Sequence, residues 1–242
     1  MLRCSTSYIV HSELPYNKAI KVTRYTRRFW YEIQCALLVQ CGAPYCRRYI
    51  LERMMNDFDL NLDRLGQIRD SLVDPKSIWS LAKKLKKQSR SLALNTPNGE
   101  LSLPSSPGIY YFEVKFNFKD YEHLEDFGNR WGAIRSKNLP KGVSRYYPSR
   151  AKNHVSRLKQ GKFIPFYLGK RDNLSDRIIN HLDGSEESGT YALKLRSRPE
   201  LLSDVELRYS FHEFHINPRS YFGVEVIEKS LREVFNPIIG KQ

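Results

Sequence analysis

From residue 23 to about residue 94 the apolar residues recur at helical spacing; beyond residue 107 they gather instead into short dense runs. In the first stretch Phe29, Ile33 and Leu37 share one stripe, as do Ile50, Met54 and Phe58, and then Leu62, Leu65, Ile68 and Leu72. Recurrence every three to four residues predicts amphipathic helices. Asp74-Pro75 reads as a stop followed by a start, because an Asp carboxylate accepts from free backbone N–H groups and Pro is tolerated in a first helical turn. The helix expected after it carries Ile78, Leu81 and Leu85 on one side and Lys83, Lys84, Lys86, Lys87 and Arg90 around the rest. Residues 1–94 are therefore expected to form a helical domain.

Residues 95–107 contain Asn95-Thr96-Pro97-Asn98-Gly99 and Ser102-Leu103-Pro104-Ser105-Ser106-Pro107, which is turn chemistry with little to bury, and a linker is expected there. After it, the runs 108–116, 163–168, 191–195 and 205–209 read as strands, the first bounded by Pro107 and Gly108 and the second closed by Gly169. Helices are expected over 174–182, with Leu174, Ile178 and Leu182 at the core, and over 224–235, with Val224, Ile227, Leu231 and Val234 as the stripe. The fold class expected is α+β: a helical N-terminal domain, then a domain at 108–242 with a small central antiparallel sheet flanked by helices.

Composition narrows the function classes. The chain has 242 residues, is 40% hydrophobic and 27% charged, and carries a formal net charge of +14. It has the balance of a folded protein and enough length for a sizeable core. No run reaches the ~18 apolar residues of a membrane span, and residues 1–8 lack the apolar stretch of a signal peptide, so a cytoplasmic protein is expected. An excess of fourteen bases concentrates polyanions near the surface, which puts nucleic acid first among partners, ahead of an acidic protein. Cys4, Cys35, Cys41 and Cys46 read as reduced thiols: the last three are separated by five and four residues, not by the close pairs of a zinc site. His212-Glu213-Phe214-His215 lacks the i, i+4 histidine pair of a zinc helix and reads as strand or loop packing.

Gly108-Ile109-Tyr110 and the later Tyr167-Leu168-Gly169-Lys170 resemble the two strand motifs of the GIY-YIG nuclease superfamily. Three further features follow in the family's order: Arg177 and His181 on the helix after the second motif, and Glu228 on a helix followed nine residues later by Pro237. The resemblance covers residues 108–242. It implies a phosphodiester hydrolase in which Glu228 holds a divalent cation, Mg²⁺ or Mn²⁺, Arg177 meets a phosphate, Tyr110 takes part in activating water, and Tyr167 positions water or phosphate. It also makes His181 a candidate proton shuttle and Lys170 a candidate phosphate contact.

These residue types suit that chemistry on their own terms. Hydrolysis of a phosphodiester needs a nucleophilic water, compensation of charge on the phosphoryl oxygens and help for the departing oxygen. A carboxylate, a guanidinium and two phenols can supply them, and a guanidinium stays charged throughout. The plain alternatives are strand aromatics for Tyr110 and Tyr167, a solvated helix face for Arg177 and His181, and an i, i+4 ion pair with Arg232 for Glu228. Many family members carry an Asn three residues after the Pro of the last helix; here that position is Gly240, with Asn236, Lys241 and Gln242 as possible substitutes.

Between the two motifs lies an insertion, residues 115–162, longer than the family's minimal hairpin. From residue 127 to residue 166 it holds Arg130, Arg135, Lys137, Lys141, Arg145, Arg150, Lys152, Arg157, Lys159 and Lys162 with no Asp or Glu, and Trp131, Tyr146 and Tyr147 among them. Basic groups neutralise phosphates and aromatics stack on exposed bases, so this segment is expected to be a loop that grips nucleic acid through Arg130, Arg135, Arg145, Arg150, Lys152, Arg157 and Lys159. The expected function is Mg²⁺-dependent endonucleolytic cleavage of DNA, double-stranded and sequence-directed in the manner of restriction or defence enzymes, with a homodimer allowed. The alternatives are a repair or structure-specific nuclease and a catalytically silent nucleic-acid-binding protein.

Overall fold

A computed structural model describes residues 44–133, 144–184, 191–217 and 220–240, with side chains described from residue 54 onward and not at Ala133. Cys4, Cys35, Cys41, Arg135, Lys137, Lys141, Lys241 and Gln242 therefore lie outside the described residues, as does the side chain of Cys46. The chain divides into two compact units, Met1–Arg64 and Leu65–Gln242. The described part of the first is the leading portion of one helix, α1 (Pro44–Leu72).

The second unit is α+β and is built on a four-stranded antiparallel sheet of order β1-β5-β2-β4. Its strands are β1 (Arg90–Ser91), β2 (Gly108–Phe116), β4 (Ile164–Arg171) and β5 (Val205–Glu213). β2 is central and buried on both faces, which is why it reads as a continuous apolar run and not as an alternation. β4 lies at the edge, where Pro165 costs no ladder bond, and a bulge between Phe112 and Glu113 takes up the shift. One face of the sheet presents Ile109, Tyr111 and Leu168 to two helices, α2 (Pro75–Lys87) and α8 (Tyr221–Phe235). The other face, with Tyr110, Phe112 and Tyr167, packs against α6 (Leu174–Asp183) and the inserted segment.

α2 begins as its sequence predicts: the Asp74 side chain accepts from the Ser77 N–H at 2.9 Å and Pro75 occupies the first turn. It does not belong to a separate helical domain, however. Ile78, Ala82 and Leu85 pack on Val224, Leu231 and Phe235 of α8, and β1 pairs with β5 through Arg90↔Tyr209 and Ser91↔Arg208. The expected boundary after residue 94 is thus displaced to Arg64/Leu65. Nor is 95–107 a free linker. Arg196 donates from Nε to the Leu94 carbonyl at 2.6 Å and from Nη1 to Asn98 at 2.9 Å, and the Tyr209 hydroxyl donates to the Leu101 carbonyl. Turn residues accept such anchoring from afar, and their local composition does not reveal it.

Two further expectations are corrected. The run 191–195 forms no strand; it is extended chain that enters a 3-10 turn at Leu195–Ser197 and then the short helix α7 (Pro199–Leu202), with Lys194 in a left-handed conformation and the Leu193 N–H spent on a side chain of α6. The described part of the insertion is a folded layer and not a loop: α3 (Tyr121–Ala133), β3 (Arg145–Tyr146), α4 (Pro148–Lys152) and α5 (Val155–Lys159). Trp131 is 1% exposed, meets Phe166 edge-to-face at 5.4 Å and donates from Nε1 to the Ser144 carbonyl; Tyr146 is buried and donates to the Leu124 carbonyl. These two aromatics are core anchors and unavailable to bases. β3 pairs with β6 (Ile239–Gly240), so the insertion also holds the segment after α8 against the domain.

Leu85 is fully buried between α2, α8 and the sheet. Leu85→Ala should lower the unfolding free energy of the sheet domain by about 2 to 5 kcal/mol, read from urea denaturation of the full chain. An unchanged midpoint would return α2 to an independent domain.

Candidate active site

Tyr110 and Tyr167 reach the same side of the sheet by register. Tyr110 stands opposite Gly169 and Tyr167 opposite Phe112, so both phenols project from one face of adjacent strands. Their rings stack at 6.0 Å with 15° between planes. Gly169 is what lets them do so: a Cβ there would lie 2.3 Å from the Tyr110 hydroxyl oxygen. Gly108 has a comparable reason, since a Cβ would meet the His212 carbonyl at 2.4 Å and Leu174 at 2.5 Å. The two motif glycines thus give room for a ring and for a helix.

α6 lays its functional side chains on top of this pair. Asn173 caps the helix by accepting from the Asp176 N–H, Leu174, Ile178 and Leu182 bury it, and Arg177 and His181 share the face above Tyr110. Arg177 Nε donates to the Tyr110 hydroxyl oxygen at 3.2 Å and its Nη2 donates to the Tyr191 carbonyl at 2.5 Å. Burial works against the Arg177 charge, but the Tyr110 and Tyr167 phenols outweigh it and its pKa is held above the ordinary value.

His181 stands elsewhere than expected. It is fully buried, with Nδ1 accepting from the Leu193 N–H at 3.0 Å and Nε2 2.9 Å from the Tyr110 hydroxyl. A ring whose Nδ1 faces an N–H donor must carry its proton on Nε2. His181 therefore donates to Tyr110 and cannot take a proton from it. Burial, then the Arg177 charge, pushes its pKa well below the usual histidine value. The expected proton shuttle is instead a neutral positioning residue behind Tyr110. The Tyr110 oxygen thus receives two N–H groups, and its own hydroxyl proton is left to the side where Tyr167 lies. Its pKa is driven up by burial and by Tyr167, while Arg177 pulls it down.

Glu228 comes from the opposite face of the sheet, around the β4 edge. It is 6% exposed and falls on the buried stripe of α8, between Val224 and Leu231. The sequence stripe 224, 227, 231, 234 is rotated by about one residue, and Ile227 and Val234 are only partly buried. A carboxylate on a buried stripe is costly unless compensated. Here Arg232 Nη2 donates to Glu228 Oε1, the i, i+4 pair that was the plain alternative for this residue. α8 ends at Asn236, left-handed at φ 50°, and the next residue is Pro237.

Tyr110, Tyr167, Arg177 and Glu228 line one cleft of about 770 Å³, together with Arg150, Gly169, Lys170, Arg171, Glu225, Lys229, Arg232, Glu233 and Asn236. Six basic side chains face three acidic ones. Of the insertion's predicted contacts among the described residues, Arg150 alone lines it, donating to the Pro237 carbonyl at 3.3 Å and lying over the Tyr147 ring at 4.2 Å. Arg145 also reaches the Tyr147 ring, Lys152 reaches Tyr121, and Arg130 and Lys159 are exposed. Arg157 is diverted: Nε and Nη2 both donate to the Phe163 carbonyl, at 2.9 and 2.7 Å, and its charge is felt by Tyr111 on the far face of β2. Lys170 pairs with Glu225 and sits over Tyr221. Arg171, Lys229, Arg232, Glu233 and Asn236 also line the cleft, and no motif in the sequence marks them apart from Asn236, a possible substitute for the missing Asn. Position 240 offers no side chain, and Asn236 is the amide at the cleft.

No group of three or more His, Cys, Asp and Glu among the described residues is arranged to hold a metal ion. A Mg²⁺ ion keeps most of its shell as water and substrate phosphate, so a cleft with one sheltered carboxylate fits it as an anchor, with the Arg232 guanidinium as the competing cation. No family model, curated protein or solved structure matches this chain.

The neutral, buried His181 ring must be deprotonated to fold. Its contribution is therefore present above the ordinary pKa near 6.5 and is lost as the pH falls below it. Melting temperature should drop between about pH 7 and about pH 5, and His181→Gln, whose amide can accept and donate in the same places, should flatten that drop. His154 and His212, also lowered chiefly by burial, keep a residual slope. An identical slope in His181→Gln would place a protonated ring at 181. Gly169→Ala should cost about 1 to 3 kcal/mol by displacing the Tyr110 ring, seen as a lowered denaturation midpoint and an altered near-ultraviolet dichroism of the tyrosines; a neutral effect would contradict the stacked geometry.

Proposed function

We propose that this chain is a divalent-cation-dependent endonuclease acting on DNA, of the GIY-YIG kind that its two tyrosine strands resemble. The observation that carries the reading is the convergence of Tyr110, Tyr167, Arg177 and Glu228, from β2, β4, α6 and α8, on one cation-rich cleft. Side chains so distant in sequence share one cleft, with Arg177 and Tyr110 hydrogen-bonded and Tyr110 and Tyr167 stacked on one wall and the Glu228 helix supplying the other. The site falls at a sheet edge open to solvent, where an extended polyanion can lie.

Each residue has a role that follows from its surroundings. Arg177 is held by Tyr110 and by the Tyr191 carbonyl, so its guanidinium is preset before a phosphate arrives and little ordering remains to be done on binding. Tyr110 has two N–H donors on its oxygen, an arrangement that favours the phenolate, against a burial that favours the phenol; it is the group placed to take the proton of an attacking water. Tyr167, at the mouth, orients that water or the phosphate. Glu228 would hold the cation, which when bound supplies charge compensation at the phosphoryl and leaving oxygens. Lys170, Arg171, Lys229 and Arg150 line the path of the flanking backbone. Sequence-directed cleavage of double-stranded DNA in restriction or defence is the biological setting that the compact architecture with an inserted layer suggests.

A second reading, a nucleic-acid-binding protein with a silent pocket, draws support from the Arg232 guanidinium on Glu228 and from the missing amide at Gly240. Plasmid incubated with the pure protein and Mg²⁺ separates the two. Cleavage that EDTA, Glu228→Ala and Arg177→Ala each abolish, with the fold retained, supports the enzyme; binding without cutting in every condition supports the silent protein. Because the Tyr110 pKa is raised, its phenolate is scarce near neutrality, and the cleavage rate should climb with pH from about 7 to about 9.5 and vanish in Tyr110→Phe. A flat profile would remove Tyr110 as the proton acceptor.

A further inference from the structure

The stripe expected to be buried in an N-terminal helical domain is open along α1. Met54, Met55, Phe58, Leu62, Leu65 and Ile68 are between 47% and 61% exposed. Their spacing is that of a two-helix seam. Phe58, Leu65 and Leu72 recur every seven residues, and so do Met54, Asn61 and Ile68, each set three residues beyond the other in the repeat. This is a period of 3.5, which keeps one seam facing a partner helix. With Phe58 at a and Asn61 at d, Met55 and Leu62 fall at e and Asp57 and Arg64 at g.

The flanking positions choose the partner and its direction. In a parallel pair of identical helices each g residue faces the next e residue of the other chain, which would set Arg64 against Arg69. In an antiparallel pair g faces g and e faces e. When Phe58 lies opposite Asn61 of a second copy and Met54 opposite its Leu65, Asp57 meets Arg64 of that copy, twice by symmetry, and Met55 meets Leu62. Sliding by one heptad sets Asp57 against Asp57 in one direction and Arg64 against Arg64 in the other. Asn61, close to the centre, is the kind of polar seam residue that costs stability and specifies register.

We propose that α1 pairs antiparallel with α1 of a second copy of this chain, about a two-fold axis that passes between Asp59 and Leu60. The interface is isologous, so the same patch serves both copies and the assembly closes as a dimer. It covers the exposed apolar strip of both copies. The proposal is independent of the nuclease reading and holds whether or not the cleft cuts DNA.

Sedimentation equilibrium of the full chain at low ionic strength tests it. The wild type should be a reversible dimer, and Phe58→Glu should be a monomer with unchanged helical dichroism. Asp57→Arg and Arg64→Asp should each raise the dissociation constant about tenfold, since either one turns two attractive pairs into repulsive ones. The double variant Asp57→Arg/Arg64→Asp should recover wild-type association, and an equimolar mixture of the two single variants should form a heterodimer as tight as the wild type. A wild type monomeric at every concentration would overturn the proposal and assign the strip to cover by the chain's own residues or by another protein. A dimer indifferent to Phe58→Glu would place the interface elsewhere, and a mixture that fails to recover would overturn the antiparallel register.

Discussion

One oxygen organises the sheet domain of this protein. The Tyr110 hydroxyl accepts from His181 Nε2 and from Arg177 Nε, so the central strand and the helix above it are tied at a single buried atom. A hydrogen bond of this sort contributes only about 0.5 to 1.5 kcal/mol net, but a buried donor left without its acceptor costs about 1 to 3 kcal/mol. The constraint therefore acts mainly against alternatives. Any slip of β2 against β4 would bring a side chain in place of Gly169 under the Tyr110 ring, and any rotation of α6 would strand the His181 and Arg177 donors. Orientation of Arg177 toward the cleft follows from this lock.

The opposite wall of the cleft is secured differently. α8 is packed by Val224, Leu231 and Phe235, the last stacked on Tyr111 at 4.3 Å, so the strand that presents Tyr110 on one face anchors the Glu228 helix with the next residue on the other. Adjacent residues of one strand thereby set both sides of the site. The helix retains a carboxylate on its packed stripe with Arg232 as compensation, an arrangement that a purely structural helix would replace with an apolar residue at lower cost. The folded insertion adds a third constraint by gripping the segment after α8 through β3 and β6.

How much of this the sequence discloses varies with the range of the interactions involved. Strands β2, β4 and β5 are legible as dense β-rich runs, and helices α6 and α8 by the helical spacing of their apolar residues. Tyr110, Tyr167, Arg177 and Glu228 are legible as an ordered set, though none is distinctive alone. The inward turn of His181 is not, because i, i+4 spacing with Arg177 places both on one face without saying which is sealed beneath a loop; the seal is the Leu193 N–H. The domain boundary misleads for a related reason. A Pro-, Ser- and Gly-rich stretch looks like a linker whether or not Arg196, about a hundred residues on, pins it to the domain. Trp131 and Tyr146 look like base-stacking groups amid arginines until Phe166 and the Leu124 carbonyl are seen to claim them.

The central claim is that side chains from separate elements act on one phosphodiester as a unit. A double-mutant cycle on DNA cleavage measures this directly, because groups that act together lose their effect together and not multiplicatively. With Arg177→Ala, Glu228→Ala and the pair assayed under single-turnover conditions with Mg²⁺, the account predicts a double variant no slower than the slower single one. Losses that multiply, or a wild-type protein that leaves DNA intact, would contradict it.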